Sequence, residues 1–196
     1  MDDAGDRRGW KAYYARTAQL PALSETAEFL AYIPSQGRVL DFGAGSGRWA
    51  LAFMRDRPDL TIDLLDQNID HAPVPDGWRG DCIKADFVTA TLTQAYDGIW
   101  SYASLFFVLP PQFLPCLQTL IAALKPGGVL EFTMVEDCEN AQLSRFHGMQ
   151  QADLARILTE NGLTQIAIRR DAQVRYGGRQ LPIPTYFVRA TKESQS

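Results

Sequence analysis

Between Arg38 and Ala50 the chain reads RVLDFGAGSGRWA, and here residue types and spacing most clearly fit a chemical task. Gly43, Gly45 and Gly47, with Ala44 between the first two, make a GxGxG loop. Any side chain at the glycine positions would collide with a ligand brought against the backbone. That pattern predicts a nucleotide site. A dinucleotide fingerprint needs a further glycine at position 48, which is Arg48, and a phosphate-cradling GxxxxGK[ST] loop needs a lysine and a hydroxyl residue that this segment lacks. Asp41, just ahead of the loop, is ill-suited to a pyrophosphate. It suits a ligand with a cationic amino group and no phosphate, such as the amino-acid part of an adenosyl amino acid.

S-adenosylmethionine fits that description. Asp66 stands 19 residues beyond Gly47 at the end of an apolar run, TIDLLD, and is followed by Gln67. A carboxylate in that place accepts hydrogen bonds from both ribose hydroxyls. Asp86 and Phe87, after a short third run, would offer an acceptor to an adenine amino group and an apolar surface to its ring. Three cysteines, odd in number and without CxxC spacing, argue against a disulfide framework and a thiolate zinc site, and no metal is expected.

These residues need elements to position them. Val39 to Phe42 reads as a strand, Arg48 to Arg55 as a helix and Leu60 to Leu65 as a second strand. Cys82 to Ala85, Gly98 to Tyr102 and Val129 to Met134 follow as strands three to five. Apolar positions recur at helical spacing from Leu23 to Tyr32, after Pro110-Pro111, and from Ala152 to Leu158. Strands of near-continuous apolar character alternating with helices predict a parallel sheet covered on both faces. Leu163 to Ile168 and Thr185 to Ala190 lack a helix-length connection, so they should pair as an antiparallel hairpin at one end of that sheet. A polar loop is expected between them.

With 196 residues, 46% of them apolar, the chain has the size of one domain. Nineteen basic against 23 acidic side chains give a net charge of −4, which offers no footprint for nucleic acid or an anionic membrane surface. The apolar run Gly98 to Pro111 falls short of the roughly 20 residues of a spanning helix. The first ten residues lack the pattern of a secretory signal, so a cytoplasmic location is the expectation.

VLDFGAGSGR, LLD at 64–66, AD at 85–86, YDGIWSYASL and LKPGGVLEF together resemble the class I S-adenosylmethionine-dependent methyltransferases, in particular small single-domain bacterial members acting on small molecules. The resemblance implies a Rossmann-like, doubly wound α/β/α fold with seven strands in the order 3-2-1-4-5-7-6, the last antiparallel. It implies a single domain over 1–196: an N-terminal helical cover (1–36), a cofactor-binding core (37–134), and a substrate-side loop, helix and hairpin (135–196). Cofactor roles fall on Asp41, Gly43, Ala44, Gly45, Gly47, Asp66, Gln67, Asp86, Phe87 and Ser101, and the resemblance places two candidates on the acceptor side, His147 in SRFHGMQ as a general base and Tyr14 as part of an aromatic lid. The expected product is S-adenosylhomocysteine and the acceptor a small molecule, with a lean to carboxylate, thiol or aromatic groups. Two positions depart from this branch's pattern: Trp49 stands where an acid is frequent, and Phe107 where a histidine is. The alternatives are a cofactor-binding partner subunit or sensor without methyl transfer, and non-methyl chemistry on the same cofactor. The oligomeric state stays open.

Overall fold

A computed structural model describes residues 23–69, 77–137, 147–171, 174–176, 179–181 and 184–194. Strands β1 (Arg38–Phe42), β2 (Thr61–Leu65), β3 (Cys82–Ile83), β4 (Tyr96–Ser101), β5 (Leu124–Glu136), β7 (Leu163–Asp171) and β10 (Thr185–Lys192) form one sheet in the order β3-β2-β1-β4-β5-β10-β7. The first five lie parallel, and β10 runs antiparallel to both its neighbours. This is the expected Rossmann-like order, with β7 and β10 as the terminal hairpin.

Helices α1 (Ser24–Ala31) and α2 (Arg48–Asp56) cover one face, where Phe29, Leu30, Trp49 and Phe53 pack on Val39, Ile62, Leu64, Trp100 and Phe187. Helices α3 (Pro110–Ala123) and α4 (Gln151–Glu160) cover the other, where Phe113, Leu117, Leu120, Leu154 and Leu158 pack on Leu40, Ile99, Leu130 and Phe132. Sandwiching explains why β1 and β2 are buried along nearly their whole length. Arg57, just past α2, donates to the carbonyls of Leu30 and Ile33 at 3.1 Å each and so closes the C-terminal end of α1.

Several details differ from the sequence expectation. β5 starts at Leu124, because Pro126-Gly127-Gly128 continues in an irregular pairing with β4 instead of forming a separate turn. A two-residue strand, β6 (Gly148–Met149), extends the sheet parallel to the end of β5. The expected polar loop near Tyr176 contains a small hairpin, β8 (Val174–Tyr176) with β9 (Arg179–Leu181). β3 has only two residues, so Asp86 and Phe87 lie three and four residues beyond its end.

Near the start of the strands a charged network ties β1, β2 and β4 together. Arg38 donates twice to Asp63, at 2.8 and 2.9 Å, and once to Asp81 at 2.9 Å. Asp63 also accepts from the Tyr96 hydroxyl and the Asp81 amide, each at 2.9 Å. Every oxygen of this buried acid is matched.

Candidate functional site

Gly43, Gly45 and Gly47 have φ of 80°, 54° and 69°, a conformation that L side chains adopt at a cost of roughly 1–2 kcal/mol per residue. The Gly43 and Ala44 amides donate to the Leu65 carbonyl at 2.8 and 3.0 Å, which ties the loop to the end of β2. The Gly47 amide donates to the Ala44 carbonyl at 2.8 Å, and α2 begins at the next residue. The loop therefore lies at the carboxyl ends of the parallel strands, where open sheets of this kind bind ligands.

Asp41 is fully buried, and neither of its carboxylate oxygens has a hydrogen-bond partner among the described residues. Burial pushes its pKa up to about 8, reinforced by the charge of Asp66 and opposed by Arg48 and by the Ala50 amide, which leans toward the carboxylate without reaching hydrogen-bond geometry. Asp66 is turned onto the loop. Its carboxylate accepts from the Gly45 amide at 3.0 Å and from the Asn68 amide at 2.8 Å. Gln67 beside it is exposed.

Asp86 is exposed and caps its own turn, accepting from the Val88 amide at 2.9 Å. Phe87 packs against the Phe42 ring with centroids 4.9 Å apart. It also comes within 3.2 Å of where a Gly43 Cβ would stand. The structure thus brings Phe87 to the loop. Ser101, at the end of β4, is buried, and its hydroxyl has no hydrogen-bond partner among the described residues.

Sequence reasoning missed the turn after β4. Ala103 has φ of 56°, and its amide donates to Thr133 Oγ1 at 2.7 Å. This holds Ser104 against the loop, where its hydroxyl lies 3.3 Å from the Gly43 carbonyl. A Cβ at Gly43 would overlap the Ser104 side chain, so a second reason for that glycine lies outside the GxGxG pattern. Trp49 is buried core: its ring meets Trp100 and Tyr102 at 5.6 and 4.9 Å, and the Arg48 guanidinium lies 3.9 Å from its centroid.

His147 lies beside the turn after β4. Its amide donates to the Phe106 carbonyl at 2.7 Å, and its ring stands edge-on to Phe113 at 5.0 Å. Burial lowers its pKa below the ordinary imidazole value, so the ring is neutral at pH 7. Its Nδ1 has no hydrogen-bond partner among the described residues. Tyr14 lies outside those residues.

Three comparisons bear on this arrangement. A family model described as a methyltransferase domain matches residues 14–175. A search of curated proteins finds no match. Among solved structures, a SAM-dependent methyltransferase from Methanosarcina mazei is similar with a TM-score of 0.69 and 15% identity, over 90% of this chain and 100% of that one. A 1,6-didemethyltoxoflavin-N1-methyltransferase from Burkholderia thailandensis, solved with its substrate and S-adenosylhomocysteine, is similar with a TM-score of 0.65 and 18% identity, over 86% and 76%. A phosphoethanolamine N-methyltransferase from Haemonchus contortus, solved with phosphomonomethylethanolamine and S-adenosylhomocysteine, gives a TM-score of 0.75 and 13% identity. That match covers 96% of this chain and 58% of the other.

Proposed function

Because the chain belongs to the methyltransferase domain family, we propose that it transfers a methyl group from S-adenosylmethionine to a small-molecule acceptor, leaving S-adenosylhomocysteine. The single observation that carries this reading is Asp41. A fully buried acid with two unmatched oxygens, next to a loop of left-handed glycines, asks for a cationic hydrogen-bond donor. The amino group of an adenosyl amino acid is such a donor. The structures of relatives that hold S-adenosylhomocysteine support the same choice.

In this reading Gly43 to Gly47 admit the amino-acid part of the cofactor against bare backbone. Asp66 holds the loop through the Gly45 amide and stands at the end of β2, where a carboxylate accepts from ribose hydroxyls. Gln67 borders the same end of β2. Phe87 offers its ring to the adenine, Asp86 its carboxylate to the adenine amino group, and Ser101 lines the end of β4. When bound, the sulfonium cofactor supplies the electrophilic methyl group, and the protein's task is alignment and exclusion of water. His147, kept neutral by burial, is the candidate to accept a proton from a protonated acceptor, and Tyr14 is the candidate lid. The division at residues 36 and 134 belongs to the same proposal, as do the cytoplasmic location and the lean toward a carboxylate, thiol or aromatic acceptor.

Calorimetric titration with S-adenosylhomocysteine tests the reading, with NAD as control. The wild-type chain should bind the adenosyl ligand and not NAD, and Asp41→Asn should weaken binding at least tenfold. Failure of the wild type to bind, or unchanged affinity in the variant, overturns it.

A further inference from the structure

On the face covered by α1 and α2, β5 carries one acid, Glu131, between the core residues Leu130 and Phe132. It keeps only 4% of its surface exposed, and its Oε2 has no hydrogen-bond partner among the described residues. Register sets it directly between Trp100 of β4 and Arg189 of β10. Arg189 Nη1 stands 3.8 Å from Oε2, beyond hydrogen-bond length, and is closer to Glu28 of α1 at 3.3 Å. The second cation, Arg169 of β7, is bonded to Glu25 of α1 and lies 5.0 Å from the Phe187 centroid. Each arginine is therefore held more closely by another acid, and Glu131 keeps only the longer ion pair with Arg189.

These side chains wall a groove of about 350 Å³. Among the described residues that line it, three carboxylates face two guanidiniums when Glu131 is ionised, one positive charge short of balance. Burial accordingly pushes the Glu131 carboxyl up to about 8, against the pull of Arg189 and Arg169 and with the push of Glu28 and Glu25. A metal ion does not answer the deficit, because no cluster of three metal-ligating side chains exists among the described residues.

We propose that this groove binds the ammonium group of a small organic cation, which donates to the Glu131 carboxylate while its alkyl part lies on the Phe187 ring. The ligand supplies both the missing charge and the missing donor. Because Glu131 is protonated before the cation arrives, binding near pH 7 expels a proton to solvent. The site uses no residue of the Gly43–Gly47 loop, so it stands or falls apart from the methyl-transfer reading.

The test titrates the full chain with n-butylammonium chloride at pH 7, in two buffers of different ionisation enthalpy, with 1-butanol as the uncharged control. The expected result is saturable binding of the ammonium with release of close to one proton, no binding of the alcohol, and at least tenfold weaker binding without proton release in Glu131→Gln. A carbon-13 titration of the Glu131 carboxyl in the wild-type chain gives an independent readout: its midpoint should fall when the ammonium is present. Absence of binding, equal affinity in the variant, equal affinity for the alcohol, or an unmoved midpoint overturns the proposal.

Discussion

Asp63 and Asp41 sit on neighbouring strands, one register step apart and on opposite faces of the sheet, and both are fully buried. Asp63 accepts four hydrogen bonds and an ion pair from Arg38, Tyr96 and the Asp81 amide. Asp41 has no hydrogen-bond partner among the described residues for either oxygen. Burial alone therefore does not mark an acid as functional. A satisfied buried carboxylate holds strands together, whereas an unsatisfied one records an interaction that the folded chain leaves to something else. Across β1 and β2 the satisfied acid lies on one face of the sheet and the unsatisfied one on the other.

Substitutions break or sharpen that contrast. The largest expected effect is Asp63→Ala, which leaves the Arg38 guanidinium and the Tyr96 hydroxyl without their shared acceptor and should cost about 3–5 kcal/mol in urea unfolding. If stability changed by less than about 1 kcal/mol, the network would not be structural.

Asp41→Asn should act in the opposite direction, with a pH dependence. The folded pKa of about 8 lies above the ordinary value of 3.8. Between those values the folded state holds a proton that the unfolded chain gives up. Stability from this group is thus greatest below about pH 3.8 and is lost as pH rises through about 8. Asparagine removes that loss, so the variant should match wild type near pH 4 and become the more stable of the two by a margin that widens until the pH passes about 8, measured by unfolding at pH 4 and at pH 8.5. A uniform destabilisation would mean that Asp41 has structural partners after all.

Smallest is Ser101→Ala. Its hydroxyl has no hydrogen bond to lose among the described residues, so stability should move by no more than about 0.5 kcal/mol while affinity for S-adenosylhomocysteine falls. A larger loss of stability would place Ser101 with Asp63 and away from Asp41.

The loop and the alternation of strands with helices were legible because local chemistry forces them, through three glycines at left-handed φ and apolar runs too short for helices alternating with helical periods; the strand order came only from the resemblance to the methyltransferases. Asp41 was legible by position, through its place just ahead of that loop. Asp66 stood out by its place at the end of β2, but its bonds to Gly45 and Asn68 depend on a side-chain rotamer that spacing does not encode. β6 and the β8–β9 hairpin escaped notice because strands of two and three residues leave too little pattern to read. Ser104 and Thr133 came to the loop only through pairing of β4 with β5, a non-local fact. Glu131 was hidden inside an apolar run, and its isolation becomes evident only when Trp100 and Arg189 are placed beside it. For Tyr14 the comparison has no counterpart among the described residues.

The sheet ends in two unlike margins. At one side β3 pairs for only two residues, which leaves almost no length of unfilled backbone for a foreign strand to copy. At the other, β7 runs for nine residues but carries Arg169, Arg170 and Asp171 near its end, and its pairing with β10 is broken by an irregularity between Arg189 and Thr191. Charge and a local kink there do what shortness does at the first margin. A chain whose core is this rich in β-branched and aromatic residues is thereby guarded at both margins against adding copies of itself edge to edge, the route by which such sheets grow into fibrils.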